Sequence, residues 1–501
     1  MLRSGAGPAS GPGRPAPVGV ATGPAVVDAD DGPVNSGARE PTGRDGRGSG
    51  GPCWERSRPE VPNVSQDAKL GILVGGGPAP GINSVIGAAT IRAELAGTPI
   101  VGITNGFEQI MAGDVSGAME LTAAGVSRIH FRGGSILGTA RANPTKDPAL
   151  LDRCIESLER LGVSQLITIG GDDTAYSAMR LAERSAGRVR VVHAPKTIDN
   201  DLDLPPWVDT FGFQTARHNG VEIVSNLMTD AKTTGRWYFV VAMGRKAGHL
   251  ALGIGKAAGA TITLIPEEFD ERVRLTEIVD TLVGSVIKRR RNGRRDGVAV
   301  IAEGVVLSLD PSELDELEDV ERDEHGHVRI AEVDIGHILK VKVRERLAEL
   351  GIKTTIVAKN VGYELRCADP IPVDMEYTRD LGYCAAKYLI SGGSGVMITM
   401  QAGHFVPVPF GEMLDPDTGR TAVRVVDVHS TRYAIARRYM LRVRRDDFDD
   451  PDELAALADA AGLSVEGFRA MFEPVVANEP PALDLHVASA DAPPAPDGRT
   501  G

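Results

Sequence analysis

The sequence predicts an α/β protein built as two Rossmann-like, three-layer domains with mostly parallel sheets and a cleft between them. Short apolar runs alternate with helical patterns between about Asp67 and Phe472, the order that parallel βαβ units produce. The apolar positions are mostly Ala, Val, Leu and Ile, with aromatics at only 4%, which suits strands buried on both faces. The strands outnumber what one compact sheet carries, and 501 residues are too many for one ordinary domain.

The first run, Leu70–Gly75, ends in glycines, and a helical pattern follows from about Ile82. Pro99–Thr104 reads as a second strand. Leu166–Ile169 is a third; it ends at Gly170-Gly171, with a helix expected from about Thr174. Val189–His193 comes next and gives way to a loop over Pro195–Asp203. Phe239–Ala242, Thr261–Ile265, Val298–Ala302, Thr354–Val357 and Val396–Thr399 continue the series, separated by helical patterns such as Asp334–Leu350 and Arg379–Ile390. Leu309–Arg329 breaks the alternation with Asp310, Glu313, Asp315, Glu316, Glu318 and Asp319. Nothing fixes ligand geometry there, so it reads as a solvated insertion rather than a metal site.

Residues 1–66 are rich in Gly and Pro without an apolar period, the composition of a disordered extension or of an over-extended start of the reading frame. The first domain is expected over 67–212 plus about 363–410, and the second over 213–362 with the acidic insertion 309–329. A C-terminal helical segment follows over 411–474, then a disordered tail over 475–501. The formal net charge of −13 speaks against nucleic acid or an anionic membrane as partner, yet leaves room for a local basic pocket. No run of about 18 apolar residues predicts a membrane span, and the N-terminus lacks the apolar core of a signal peptide. Cys53, Cys154, Cys367 and Cys384 form no C-x-x-C pair and read as reduced cytosolic thiols.

Ligands of open α/β sheets bind beyond the carboxyl ends of the strands, so what each strand delivers there carries the chemistry. The first delivers Gly75-Gly76-Gly77-Pro78-Ala79-Pro80-Gly81, where glycines let the backbone approach an anion and a helix N-terminus follows. The loop lacks the Lys-Ser/Thr of a Walker A motif, and a tight strand-to-helix turn would use the same residues. The third delivers Gly170-Gly171-Asp172-Asp173-Thr174. Two adjacent carboxylates repel unless a cation sits near; Asp172 suits a Mg²⁺ ligand, and either acid could cap the helix. Pro195-Lys196-Thr197-Ile198-Asp199-Asn200-Asp201 follows the next strand. Asp199 could take a proton from an attacking hydroxyl, and Lys196 could neutralise phosphate oxygens. Met243-Gly244-Arg245, Glu303-Gly304 and Tyr363-Glu364-Leu365-Arg366 close later strands, with Arg236 seven residues before Met243. Arginines beside strand-end glycines favour a phosphate clamp.

In order from about Lys69 to about Gln401, the segments GGGPAPGIN, GGSILGTAR, GGDDT, PKTIDND, MGRKAG, Glu303-Gly304 and GYELR resemble the phosphofructokinase family. The resemblance implies phosphoryl transfer to the 1-hydroxyl of fructose 6-phosphate with Mg²⁺ as cofactor. It makes the first domain the donor domain and the second the sugar-phosphate domain. It also implies a cytoplasmic homodimer or homotetramer with no nucleic-acid or membrane partner.

Two positions bear on the donor. ATP-dependent members usually carry Gly where Asp173 and Lys196 stand, and the pyrophosphate-dependent members are similar to this chain. A carboxylate at 173 would repel the α-phosphate of ATP. Like charges 4 Å apart cost about 4 kcal/mol at intermediate dielectric, about a thousandfold in binding. Lys196 would stabilise pyrophosphate as its bond breaks. The resemblance further implies that Gly76 and Gly77 cradle the donor and that Arg141 reaches the transferred phosphoryl. Asp172 binds Mg²⁺ with Asp201 in support, and Asp199 is the general base, with Thr197 and Ile198 beside it. Met243, Gly244, Arg245 and Glu303 hold the sugar, and Tyr363, Glu364, Leu365 and Arg366 the 6-phosphate end. Arg236 reaches a neighbouring subunit's site.

Tyr363 stands where many ATP-dependent members carry His, and Pro78 replaces an Asp common among them. An ATP-dependent enzyme with the same site is the first alternative, and a catalytically silent regulatory subunit the second. Asp172, Asp199, Asp201 and Arg245 are all present, which speaks against the silent subunit. Cys367, near the 6-phosphate loop, reads as structural.

Overall fold

The structure is a computed structural model and describes residues 68–269, 272–310, 312–313, 333–480 and 483. The expected extension 1–66, most of the acidic insertion 309–329 and most of the expected tail lie outside the described residues.

Two sheets organise the described chain. The first contains β1 (Lys69–Val74), β2 (Ile100–Ile103), β3 (Ala118–Leu121), β4 (Val163–Gly170), β5 (Arg190–Thr197) and β6 (Phe211–Gly212). The second contains β7 (Trp237–Ala242), β8 (Ile262–Leu264), β9 (Gly297–Ala302) and β10 (Ile356–Val361). The chain then returns to the first sheet as β11 (Val396–Gln401) and β12 (His404–Pro409). The orders are β12-β11-β5-β4-β1-β2-β3, with β6 on β5, and β10-β7-β9-β8. Every pairing is parallel except β2 with β3 and β11 with β12.

Strand composition follows from two-sided burial. β7 (WYFVVA) and β9 (GVAVIA) are buried throughout, as parallel strands between helical layers must be. In β1 the side chains alternate between two cores. Leu70, Ile72 and Val74 pack with the helices Ile82–Glu94 and Pro372–Ile390, and Leu73 packs with the helices Pro148–Arg160 and Asp172–Ser185. Around the second sheet lie the helices Phe213–Thr234, His249–Ala258, Leu275–Arg291 and Ile335–Glu349. The C-terminal helices Thr431–Tyr439, Pro451–Ala461 and Val465–Phe472 extend the same core, where Phe468 and Phe472 meet with ring centroids 4.6 Å apart.

Several boundaries differ from the sequence expectation. β5 runs to Thr197, so Pro195, Lys196 and Thr197 are strand rather than loop; Pro195 opposes Gly170 on β4, and Lys196 opposes Phe211 on β6. The helix after β4 starts at Asp172, and its cap position is Gly171, so neither Asp172 nor Asp173 caps it by a side-chain hydrogen bond. Both acids occupy the first turn, where the helix dipole favours negative charge. β10 begins two residues later than expected and runs to Val361, paired along its length with β7. The helix expected at Arg379–Ile390 begins at Pro372, whose fixed φ suits a first helical position. The packed chain also continues past 475. Val476 is buried, and the Glu479 carboxylate accepts from the Arg445 backbone N–H at 2.6 Å and pairs with Arg437 at 3.3 Å.

Candidate active site

β5, β4 and β1 are neighbours in the first sheet, and β10, β7 and β9 in the second. Their carboxyl ends meet at one cavity of about 600 Å³. Asp172, Asp173, Lys196, Asp199 and Asp201 line it from the first sheet; Met243, Arg245, Glu303, Tyr363 and Arg366 line it from the second.

The glycine loop after β1 forms the floor. Gly76 has φ +79°, a left-handed value that glycine adopts without strain. Its N–H donates to the Ala140 carbonyl at 2.9 Å, and its carbonyl accepts from the Thr139 hydroxyl at 2.6 Å. These bonds bring the LGTAR segment, and with it Arg141, to the cavity wall. At Gly77 a Cβ would lie 2.8 Å from a terminal nitrogen of Arg366, so a side chain there would push that guanidinium from its present place. Lys196 reaches from β5 to donate its ammonium to the Gly77 carbonyl. The strand correction therefore matters: a lysine on a strand, buried and aimed at the glycine loop, is held more firmly than one on a surface turn.

The acids stand beside it. Asp199 is half-buried; its Oδ1 is sealed from solvent and has no hydrogen-bond partner, and its backbone N–H donates to the Thr197 hydroxyl at 3.0 Å. Burial pushes its carboxyl up to about 7, helped by Asp201 and Glu303 and opposed by Lys196 and Arg366. Burial likewise brings the Lys196 ammonium down to about 8, against the pull of Asp199. Burial and then the Asp172 charge raise Asp201, while a hydrogen bond with Thr197 opposes the rise. Burial raises Glu303, with Arg245 opposing. Perturbed acids of this kind gathered in a cleft mark a reactive site.

On the second sheet's side of the cavity, the Arg366 guanidinium lies 4.6 Å from the centroid of the ring of Tyr363, a residue 75% exposed at the lip. Glu364 lines the cavity and accepts from the Gly362 N–H at 3.2 Å. Thr197, Ile198, Gly76 and Gly77 also line it. Three expected residues do not. Gly244 spends its carbonyl on the Gly304 N–H at 3.2 Å, and Leu365 is fully buried in the core of the second sheet. Arg236 precedes β7 and pairs with Asp230 at 3.9 Å. Six strand residues, about 20 Å, separate it from Met243 at the cavity end.

The cavity also holds residues that the sequence reading passed over: Asn143, Lys246, Asp334 and Asn360. Lys246 donates to the Asp172 carboxylate. Its position directly after Arg245 in MGRKAG was the available signal. Asp334 entered the sequence reading only as the start of a helical pattern, which it caps, and Asn360 gave no signal, because the extent of β10 decides where it falls.

The phosphofructokinase family model matches residues 69–389. A Thermotoga maritima protein named pyrophosphate--fructose 6-phosphate 1-phosphotransferase is 52% identical over 406 residues, 80% of this chain and 97% of the relative. A Naegleria fowleri protein of the same name is 48% identical over 417 residues, 81% of this chain and 95% of the relative. The solved structure of a pyrophosphate-dependent phosphofructokinase from Nitrosospira multiformis superposes with a TM-score of 0.58 at 16% identity, covering 80% of this chain and 93% of that one. At that identity the likeness is one of fold.

Proposed function

The chain belongs to the phosphofructokinase family, and we propose that it moves a phosphoryl group reversibly from pyrophosphate to the 1-hydroxyl of fructose 6-phosphate, giving fructose 1,6-bisphosphate and phosphate. The observation that carries the donor assignment is the buried Lys196 ammonium seated on the Gly77 carbonyl inside the glycine loop, with Asp173 on the same cavity wall. An ammonium there meets the charge of a bare diphosphate, and a carboxylate there repels a nucleotide's α-phosphate. The names of the two close relatives support the same reading.

Asp199 receives the proton of the 1-hydroxyl as that oxygen approaches phosphorus. Its side chain lines the cavity, and a pKa near 7 suits a general base at neutral pH. Lys196 and Arg141 neutralise the phosphoryl oxygens, which is the protein's main task when the transition state is loose. Met243, Arg245 and Glu303 hold the sugar, and Tyr363 and Arg366 its 6-phosphate. Arg236, at the far end of β7, serves a neighbouring subunit's site in a homodimer or homotetramer. The working compartment in this reading is the cytoplasm. Among the described residues no helix is long and apolar enough to cross a membrane.

The residues fit a Mg²⁺ ion. Asp172 and Asp201 are close enough for the first to raise the second, and seven carboxylates against five cationic side chains leave the cleft acid-rich. Among the described residues no group of three or more His, Cys, Asp or Glu side chains is placed to hold a metal ion, so the ion would need waters and substrate phosphates to complete its shell. When bound, Mg²⁺ supplies charge that offsets the repulsion among the phosphate oxygens.

Assaying purified protein with Mg²⁺ and fructose 6-phosphate against pyrophosphate and ATP tests the reading. Turnover with pyrophosphate and little with ATP is expected; equal turnover with both would remove the donor assignment.

A further inference from the structure

The C-terminal segment grips the loop that carries the two central acids, although Arg424 at its centre lines no part of the cavity and lies beyond residues 69–389. Its backbone N–H donates to the Asp201 carbonyl at 2.9 Å, beside a β-bridge between Val423 and Leu202. The guanidinium then spreads over the same loop. Nε donates to the Asn200 carbonyl at 3.2 Å and Nη2 to the Asn200 side-chain oxygen. Nη1 donates to the carbonyls of Leu204, Pro205 and Val208 at 3.4, 3.3 and 2.9 Å. A side chain that could serve an anion is thus committed to one short stretch of backbone.

That stretch needs holding. Asn200, between Asp199 and Asp201, has φ +57°, a left-handed value uncommon for a residue with a Cβ. Its side chain donates to Asp209 at 2.9 Å and accepts from the Thr210 N–H at 3.0 Å. The Asp199 Oδ1 has no partner, so its aim is set by the backbone on either side of it. Catalysis by a positioned base loses about a hundredfold for a displacement near 1 Å. The segment also reaches the second sheet: the Arg424 carbonyl accepts from His249 Nε2 at 3.2 Å, and the Glu267 carboxylate accepts from both Val426 and Gly248 N–H at 2.9 and 2.8 Å.

We propose that Arg424 is a positioning residue, which fixes the Asp199–Asn200–Asp201 backbone and thereby the aim of the base, without touching either substrate. The inference rests on the assignment of Asp199 as that base.

The test compares Arg424→Ala, Arg424→Lys and Asp199→Asn for kcat, for KM of each substrate, and for melting temperature. In Arg424→Ala, kcat falls about thirtyfold to a hundredfold, both KM values stay within about threefold, and millimolar guanidinium restores several-fold activity that Asp199→Asn does not regain. Arg424→Lys, which keeps the charge but not the fork, loses about tenfold in kcat and decides the matter if the alanine variant does not fold. A kcat within twofold of the parent in the lysine variant, or a loss shared equally by kcat and KM, overturns the clamp. An inactive Asp199→Asn beside an unimpaired Arg424→Lys overturns the clamp alone, whereas an active Asp199→Asn overturns the base assignment beneath it.

Discussion

Lys246 donates to the Asp172 carboxylate and so ties the loop after β7 to the first turn of the helix after β4, across the cleft. The pair is partly exposed, with side-chain exposures of 49% and 26%, and in the proposed reading the ammonium sits on an oxygen offered to the divalent cation.

Replacing Lys246 with Met frees that oxygen. A screened pair of this kind contributes about 0.5–1 kcal/mol, so the affinity of the substrate-free protein for Mn²⁺, read by electron paramagnetic resonance, is expected to rise about twofold to fivefold. Unchanged Mn²⁺ affinity in Lys246→Met would show that the ion pair does not compete with the cation.

Asp173 is the position expected to decide the donor. It is exposed in the first turn of its helix, its N–H donates to Asp172 at 2.8 Å, and its side chain reaches the cavity wall. Asp173→Gly removes a charge without touching the core. Its kcat/KM with ATP is expected to rise at least tenfold, part of the roughly 4 kcal/mol that a like charge at 4 Å can impose. Steady-state assays with both donors check this, and no gain with ATP would discard the repulsion argument.

Much of this site was legible because chemistry at strand ends is local in sequence. Gly76, Gly77, Asp172, Lys196 and Asp199 each follow an apolar run or close it, so the runs and the topology rule suffice to bring them together. Lys196 was placed on the correct chain segment but in the wrong state, because Pro195 reads as a strand breaker when its pairing with Gly170 is unseen. The strands β3, β6 and β12 were missed. Two are short or partly exposed, and β6 is a two-residue strand whose pairing with β5 no local pattern encodes. Arg424 was illegible for a different reason. Its partners on the acid loop lie more than 200 residues earlier in the chain, and a lone arginine in a polar stretch gives no periodic or motif signal.

The pH dependence should be bell-shaped and narrow. The base must be ionised, so kcat/KM for fructose 6-phosphate at saturating pyrophosphate falls as pH drops below about 7, where Asp199 takes up a proton. It falls again as pH rises past about 8, where the Lys196 ammonium is lost. Lys196→Met should flatten the alkaline limb and lower kcat about 10²–10³-fold, the usual cost of removing a preorganised charge on the reacting group. An alkaline limb that survives in Lys196→Met belongs to another group.

Asp199 also makes a prediction about stability, with a sign opposite to that of a salt-bridged acid. Its folded carboxyl is raised to about 7, from the ordinary aspartate value of 3.8. Between those two values the unfolded chain gives up the proton while the folded chain retains it, so folding stability attributable to this group is lost as pH rises and is fully lost above about 7. Asp199→Asn has no such loss. Without substrates, the melting temperature of the variant relative to the parent should therefore climb from pH 4 to about pH 7 and level off above that. The gain is on the order of 2 kcal/mol, allowing for the solvent that reaches the open side of the cleft. Calorimetry across that range measures it directly, with turnover in the variant falling to background throughout. A melting-temperature difference that stays flat with pH would mean that Asp199 is ionised in the folded protein as readily as in the unfolded chain, and the case for a base tuned by burial would go with it.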